Sequence, residues 1–383
     1  MSSNNEVTVE AAVERRNHGA KWIDVREPDE WAVAHIAGTV LRPLAGAVEA
    51  IVQEHPDRDT PLNISCASGG RSMRVVEVLQ SIGYSDVMNV EGGIRAWQAA
   101  GRPTLSDVAM TAEQVDRYSR HIVIPEVGIA GQTRLLNARV LLLGAGGLGS
   151  PAGLYLAAAG VGTLGFVDDD VVERSNLQRQ VMHDESRIGM LKTESAAQTI
   201  AQLNPDVTVE QYPFRLTADN VFEVLDQGWD VIIDGTDNLP TRYLINDASV
   251  RRSIPVIHGS IYRFEGQVTV FEPFEGPCYR CLYPEPPPPE LAPSCAEGGV
   301  LGVLPGIVGS LQAVEAIKVI LGIGRPLVGR LWMYDALEAE TRTLKLRRDP
   351  ACPACGDGER LTELIDYEAF CAMPQAQAPA PAR

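Results

Sequence analysis

The chemistry-bearing residues fall into two runs. Cys66-Ala67-Ser68-Gly69-Gly70-Arg71 comes first and Gly144-Ala145-Gly146-Gly147-Leu148-Gly149 follows. A cysteine succeeded by small residues and an arginine offers a thiolate that backbone N–H groups, a helix dipole and the Arg71 guanidinium stabilise. Cys66 is therefore a candidate nucleophile near neutral pH. Four residues separate Cys66 from Arg71, a smaller ring than the Cys-x5-Arg loop that grips a phosphoryl group, and a smaller ring suits sulfur. A persulfide cysteine and a nucleotide cradle on one chain predict ATP-driven activation of a group, followed by delivery of sulfur to it.

Gly144, Gly146 and Gly149 have the spacing of a dinucleotide-type turn. The first two let the backbone bend and approach phosphate, and the third lets strand and helix pack closely, with the helix N-terminus facing the anion. Asp168, after the next strand, stands where an acidic residue grips ribose hydroxyls, which also suits an NAD-dependent oxidoreductase. Attack at an α-phosphorus asks for more: cations on the developing charge and a carboxylate for Mg²⁺. Arg179, Lys192 and Asp237 would supply that set, and no Walker A sequence is present.

Seven cysteines include two Cys-x-x-Cys pairs, Cys278/Cys281 and Cys352/Cys355. Four thiolates are the tetrahedral set that structural Zn²⁺ prefers, and a redox couple is the competing reading of either pair. Cys295 follows the proline run Pro286–Pro289 and is either a packing residue or a nucleophile on a flexible connection; Cys371 is incidental.

These residues need elements to hold them. Residues 1–105 read as a small α/β domain with strands at 21–25 and 62–65 and a helix over 71–82, so that Cys66 sits at a helix N-terminus. Residues 106–372 read as a βαβ-based, mostly parallel sheet wrapped by helices: strands at 138–143, 163–167, 207–212, 231–234, 256–258 and 267–271. Thr111 and Gln114 predict a capping box on a helix that carries Tyr118 and Arg120. Residues 373–383 are an Ala/Pro-rich tail, expected to be disordered.

At 383 residues and 45% hydrophobic the chain exceeds one ordinary core. Its net charge of −17 repels nucleic-acid phosphates. Residues 301–324 form the stretch nearest to bilayer length, interrupted by Pro305, Gln312, Glu315 and Lys318. A soluble cytoplasmic protein, without nucleic-acid or membrane partners, is expected.

From Arg117-Tyr118-Ser119-Arg120 to about Gly356 the chain resembles the MoeB/ThiF group of ubiquitin-activating-like adenylyltransferases. The resemblance rests on the glycine turn, Ser175 to Gln180, Asp237-Asn238 with Arg242, and Cys278-Tyr279-Arg280-Cys281. It implies that Gly147 approaches the nucleotide and Asp168 binds ribose. Ser175, Asn176, Arg179 and Lys192 would contact phosphates, and Asp237 would bind Mg²⁺ with Asn238 nearby. It implies further that Arg120 reaches the ATP site of a partner subunit in a homodimer, that the four paired cysteines hold zinc, and that Cys295 does thioester or acyl-disulfide chemistry. With Trp22 to Arg26, Glu30-Trp31, His35 to Gly38 and Glu91 to Gly93, the first domain resembles a single-domain rhodanese. Cys66 would carry the persulfide and Arg71 would bind the donor or stabilise charge, while Asp24 and His35 are read as structural. In familiar fusions of the two modules the rhodanese part comes second; here it comes first.

The expected activity is ATP-dependent adenylation of the C-terminal glycine of a MoaD/ThiS-like sulfur carrier, then sulfur transfer to give a thiocarboxylate for molybdopterin, thiamine, cysteine or tRNA thiolation. A cysteine desulfurase or thiosulfate would load Cys66. The competing readings are an NAD-dependent oxidoreductase, a non-catalytic carrier-docking scaffold, and conjugation of the carrier to proteins.

Overall fold

Short apolar runs closed by turns become the inner strands of two separate sheets. The computed structural model describes residues 5–106, 110–287, 298–358 and 360–372. Cys295, Pro288 to Glu290 and the tail from residue 373 lie outside the described residues. The chain divides into two compact units between Ile129 and Ala130.

In the first unit, strands β1 (Glu6–Val7), β2 (Lys21–Asp24), β3 (Val40–Leu41), β4 (Leu62–Ser65) and β5 (Val87–Val90) form a parallel sheet in the order β1-β5-β4-β2-β3. Alternation along β2 sends Trp22 and Ile23 into different cores on opposite faces. Each such side chain, almost wholly buried, contributes about 1.5–3 kcal/mol. The helix Gly70–Ser81 follows β4 and buries Val75, Val76 and Leu79, the stripe its sequence predicts. Asp24 is buried against Arg26, and His35 stacks on Trp31 at 4.2 Å.

The second unit holds strands β6 (Arg139–Leu143), β7 (Thr163–Val167), β8 (Thr208–Tyr212), β9 (Val231–Asp234), β10 (Val256–Tyr262), β11 (Glu265–Phe271), β12 (Arg330–Asp335) and β13 (Glu340–Lys345). Their order is β13-β12-β11-β10-β9-β6-β7-β8. The run β10-β9-β6-β7-β8 is parallel, and β11, β12 and β13 extend it antiparallel. The sequence reading stops β10 at residue 258 and omits β12 and β13. A hairpin joins Tyr262 to Glu265, and every residue of β13 is exposed, so no buried alternation marks it.

From β6 the chain runs outward through β7 and β8, then returns to β9 on the other side of β6. That reversal creates a crevice at the carboxyl ends of β6 and β9, the usual ligand position in such sheets. The helix Leu304–Leu321 is long and apolar enough to cross a bilayer by length and composition, yet half of its span is buried. It packs on β9, β10 and β11. Gln312 donates from Nε2 to the carbonyls of Asp234 and Ile257, and Glu315 accepts from the Leu327 N–H. These buried polar contacts belong to a core helix.

Candidate functional site

In the first unit, β4 delivers Cys66 into the turn before the helix Gly70–Ser81, where Gly69 takes a left-handed backbone (φ +97°). The Gly69 N–H and the Ser72 hydroxyl both donate to Cys66 Sγ at 3.2 Å. Burial by itself would raise the thiol pKa. Hydrogen bonds from Ser72 and from the backbone at Ser68 and Gly69 outweigh that and hold it below the ordinary thiol value. Arg71, which the sequence offered as one cause beside the helix dipole and backbone N–H groups, is paired with both carboxylate oxygens of Glu30, at 2.6 and 2.7 Å. Ser72 and Glu30 are the residues that sequence reasoning missed as partners. A small polar residue one turn into the helix was the available signal for Ser72.

In the second unit, a cavity of about 690 Å³ opens at the ends of β6 and β9, within the usual range for a small-molecule site. A Cβ on Gly149 would lie 1.9 Å from the Gly144 carbonyl oxygen, so glycine there is a packing requirement. At Gly147 an added Cβ would meet protein atoms at 3.4 Å or more. Its small size keeps the cavity side open rather than relieving a clash.

Of the residues singled out in the sequence, Gly144, Gly146, Gly147, Asp168, Arg179, Lys192, Asp237 and Asn238 all line this cavity. Asp168 braces the turn, accepting from the Ala145 N–H at 2.8 Å and from the Asp170 N–H at 3.0 Å. Burial raises its pKa, with Lys192 opposing. Lys192 Nζ stands 2.6 Å from Asp170 and 3.9 Å from Asp168. Arg179 donates to the Ser175 carbonyl at 3.1 Å. Asp237 is exposed to the cavity, whereas the Asn238 side-chain Oδ1 caps the helix Leu239–Arg252 by accepting from the Thr241 N–H.

Ser175 and Asn176 are not on the cavity wall. Asn176 accepts from the Glu173 N–H and is buried, and Ser175 donates to Glu173. They shape the turn that carries Arg179. The predicted capping box of Thr111 and Gln114 is present, but its helix stops at Arg117 with Tyr118 as C-cap, so Arg120 lies exposed on a separate short helix, Ser119–Ile122, of the first unit.

Sequence reasoning also missed His258, on β10 at the cavity wall. Its Nδ1 donates to buried Asp234 at 2.7 Å, and Asp234 accepts from the Thr236 N–H and hydroxyl as well. Burial pushes the His258 pKa down despite Asp234. For Asp234, burial acts upward, but His258, Arg242 and Thr236 together win and lower it. The pair is a carboxylate with a neutral imidazole. It fixes the Thr236 loop that presents Asp237.

Below the sheet, Cys278, Cys281, Cys352 and Cys355 converge, with all four sulfurs within 4.8 Å of one another. Three of the Sγ separations are 3.4, 3.6 and 3.9 Å. A tetrahedron with Zn–S bonds near 2.3 Å requires about 3.8 Å between sulfurs. The donor set thus fits zinc. Arg280, between the first pair, makes a two-pronged contact with buried Asp247 at 2.8 Å, which ties the knuckle to the helix Leu239–Arg252. The six cysteines described are free. Burial pushes Cys371 up to about 11, the mark of an inert thiol.

This chain belongs to the ThiF family, whose model matches residues 118–354, and a rhodanese-like domain matches residues 8–100. The sulfur carrier protein adenylyltransferase of Thermus thermophilus is 54% identical over 69% of this chain and 98% of its own length. The SAMP-activating enzyme E1 of Haloferax volcanii is 55% identical over 70% of this chain and 98% of its own. The adenylyltransferase and sulfurtransferase MOCS3 of Culex quinquefasciatus is 49% identical over 68% of this chain and 59% of its own. A crystal structure of E. coli MccB with ATP superposes with a TM-score of 0.55 and 23% identity, covering 64% of this chain and 76% of that one. That last likeness is one of fold.

Proposed function

We propose that this protein adenylates the C-terminal glycine of a ubiquitin-like sulfur carrier and then replaces the adenylate with sulfur carried on Cys66. The observation that carries the reading is the convergence of Arg179, Lys192 and Asp237 on one cavity beside the glycine turn. Hydride transfer has no use for that set, and adenylation does. The names of the relatives support the same class.

The carrier carboxylate attacks the α-phosphorus of ATP; an acyl-adenylate forms and pyrophosphate leaves. Arg179 and Lys192 take up charge on the phosphates, Asp168 holds ribose, and Gly144, Gly146 and Gly147 admit the phosphates to the turn. Exposed Asp237 is the carboxylate suited to Mg²⁺, which would neutralise phosphate charge. Asn238 orders the helix start beside it. The Cys66 persulfide then attacks the acyl carbon, AMP leaves, and an acyl disulfide forms. Attack by the Cys295 thiolate on Cys66 Sγ frees the thiocarboxylate and leaves a disulfide, which an external thiol reductant reopens. Zinc on Cys278, Cys281, Cys352 and Cys355 would be structural, because four protein ligands leave no open position. Arg120 acts on the ATP site of a second copy in a homodimer, and the protein works in the cytoplasm, where thiols stay reduced.

The test supplies ATP and carriers ending in Gly-Gly. Carrier-dependent pyrophosphate release and a carrier mass in which sulfur replaces oxygen are expected. ATP binding without an adenylate would leave a docking scaffold, a stable carrier thioester on Cys295 would mark conjugation, and NAD reduction without pyrophosphate would mark an oxidoreductase.

A further inference from the structure

The sulfur site carries its own evidence about the donor. Arg71 is the guanidinium closest in sequence to Cys66, and its natural use would be to receive the negative end of an incoming sulfur donor. Both of its forward-facing nitrogens are already engaged by Glu30. That pairing is anchored. Glu30 lies on the helix Pro28–Val33, and one of its oxygens also accepts from the Glu27 N–H at the start of that helix. Arg26, 4% exposed, locks the same helix from beneath, donating to the Asp24 carboxylate and to the carbonyls of Glu30 and Ala34. The carboxylate is therefore fixed at two points, by Arg71 and the Glu27 N–H, on a helix that buried Arg26 anchors, while both side chains of the pair stay about a third exposed.

At Arg71 the paired Glu30 carboxylate is joined by the fields of the Cys66 thiolate and of Glu27, while Arg26 is taken up by Asp24. The anions acting on Arg71 thus outnumber its single charge. The Gly69 N–H, which could have met an external anion, is spent on the sulfur. A free dianion such as thiosulfate must bring two charges into this field. A cysteine persulfide brings at most one.

We propose that Glu30 is the specificity-determining residue of the sulfur site: by occupying Arg71 it turns away free dianionic donors and leaves Cys66 to be loaded from a cysteine persulfide carried on another protein. The inference rests on the reading of Cys66 as the sulfur-carrying nucleophile. In the favoured loading step the Cys66 thiolate attacks the outer sulfur of R–S–SH. The inner S–S bond breaks, R–S⁻ leaves, and Cys66–S–SH remains with its proton. With thiosulfate the same attack would release sulfite, and the approach meets the carboxylates.

The experiment compares thiosulfate with cysteine persulfide as donor, for the full-length protein, Glu30→Gln, and Glu30→Gln combined with Arg71→Met. Initial rates are read with cyanide as acceptor, and intact mass reports one added sulfur on Cys66. Glutamine keeps an acceptor for the Glu27 N–H, so the helix start survives. Glu30→Gln is expected to raise kcat/KM for thiosulfate about tenfold, through KM, as fits one charge removed a few Å away at a partly screened site. The persulfide rate should change by no more than about threefold, since that donor brings at most half of the charge. In the double variant the gain should vanish. A merely structural Glu30 would lower both donors together, and that result, or an unchanged thiosulfate kcat/KM with persulfide loading intact, overturns the proposal. If neither donor adds sulfur to Cys66 in the unaltered protein, the sulfurtransferase reading falls with it.

Discussion

The Cys66 loop and the glycine turn are built alike. Each follows an inner strand of a parallel sheet, bends through a glycine with positive φ, Gly69 or Gly144, and enters a helix. They differ in which anion the turn serves. At the first, the Gly69 N–H and the Ser72 hydroxyl go to a sulfur of the chain itself. At the second, the Gly144 and Ala145 N–H groups go to Val167 and Asp168, and Gly146 and Gly147 face a cavity of about 690 Å³. The same device thus makes a nucleophile when its anion is internal and a binding site when its anion is a ligand.

The hardest blow to that comparison falls on the second turn. Gly149→Ala places a methyl 1.9 Å from the Gly144 carbonyl; pyrophosphate release should fall at least ~100-fold, as for a ~1 Å misplacement in a site. Cys66-dependent chemistry in the first unit, followed by alkylation, should persist. A Gly149→Ala protein with normal adenylation would break the analogy.

Next is the knuckle. Cys352→Ser should remove bound zinc, read by metal analysis, and destabilise the second unit by ~3 kcal/mol or more, read in urea melts, since a structural metal contributes folding energy directly. Unchanged metal content would leave the four thiols as a redox pair of pairs.

A smaller effect sharpens the first turn. Ser72→Ala removes the side-chain donor that most lowers the Cys66 pKa. The thiol is depressed in the fold, so thiolate is present at lower pH than in a free thiol. In the variant the midpoint of alkylation rate against pH should rise by ~0.5–1 unit, the effect of one hydrogen bond of ~1 kcal/mol. No shift would mean that backbone donors suffice.

The smallest concerns acid stability. Asp234 is depressed in the fold, so the stability it supplies is complete above its unfolded pKa of ~3.9 and drains away as pH falls through the lower folded value. His258→Asn should shrink that acid-dependent loss by roughly 1 kcal/mol, read as melting temperature against pH below about 4. An unaltered slope would remove His258 from the support of the Asp237 loop.

Much of this was legible in residue order. Strand β4, the helix after Cys66, the β6 turn and its helix, and the Thr111/Gln114 capping box all follow from apolar period and local polar chemistry, which act within a few residues. The paired cysteines announced a four-thiol set, although residues 282–351 separate the pairs. The edge strand β13 was silent, because an exposed strand leaves no alternation, and β12 beside it is half-buried along most of its length without a clear alternation.

What the sequence by itself determined was the inventory: a thiol in a sulfur-sized loop, a phosphate-sized glycine turn, and the cations and carboxylates of a nucleotide site. Only the tertiary structure decided their partners. Glu30 and Arg71 lie 41 residues apart, Asp234 and His258 24 apart, and Ser175 and Asn176, expected to contact phosphates, bond to Glu173 off the cavity wall. Long-range pairing depends on how strands and helices stack, and local periodicity carries no information about which side chains then meet.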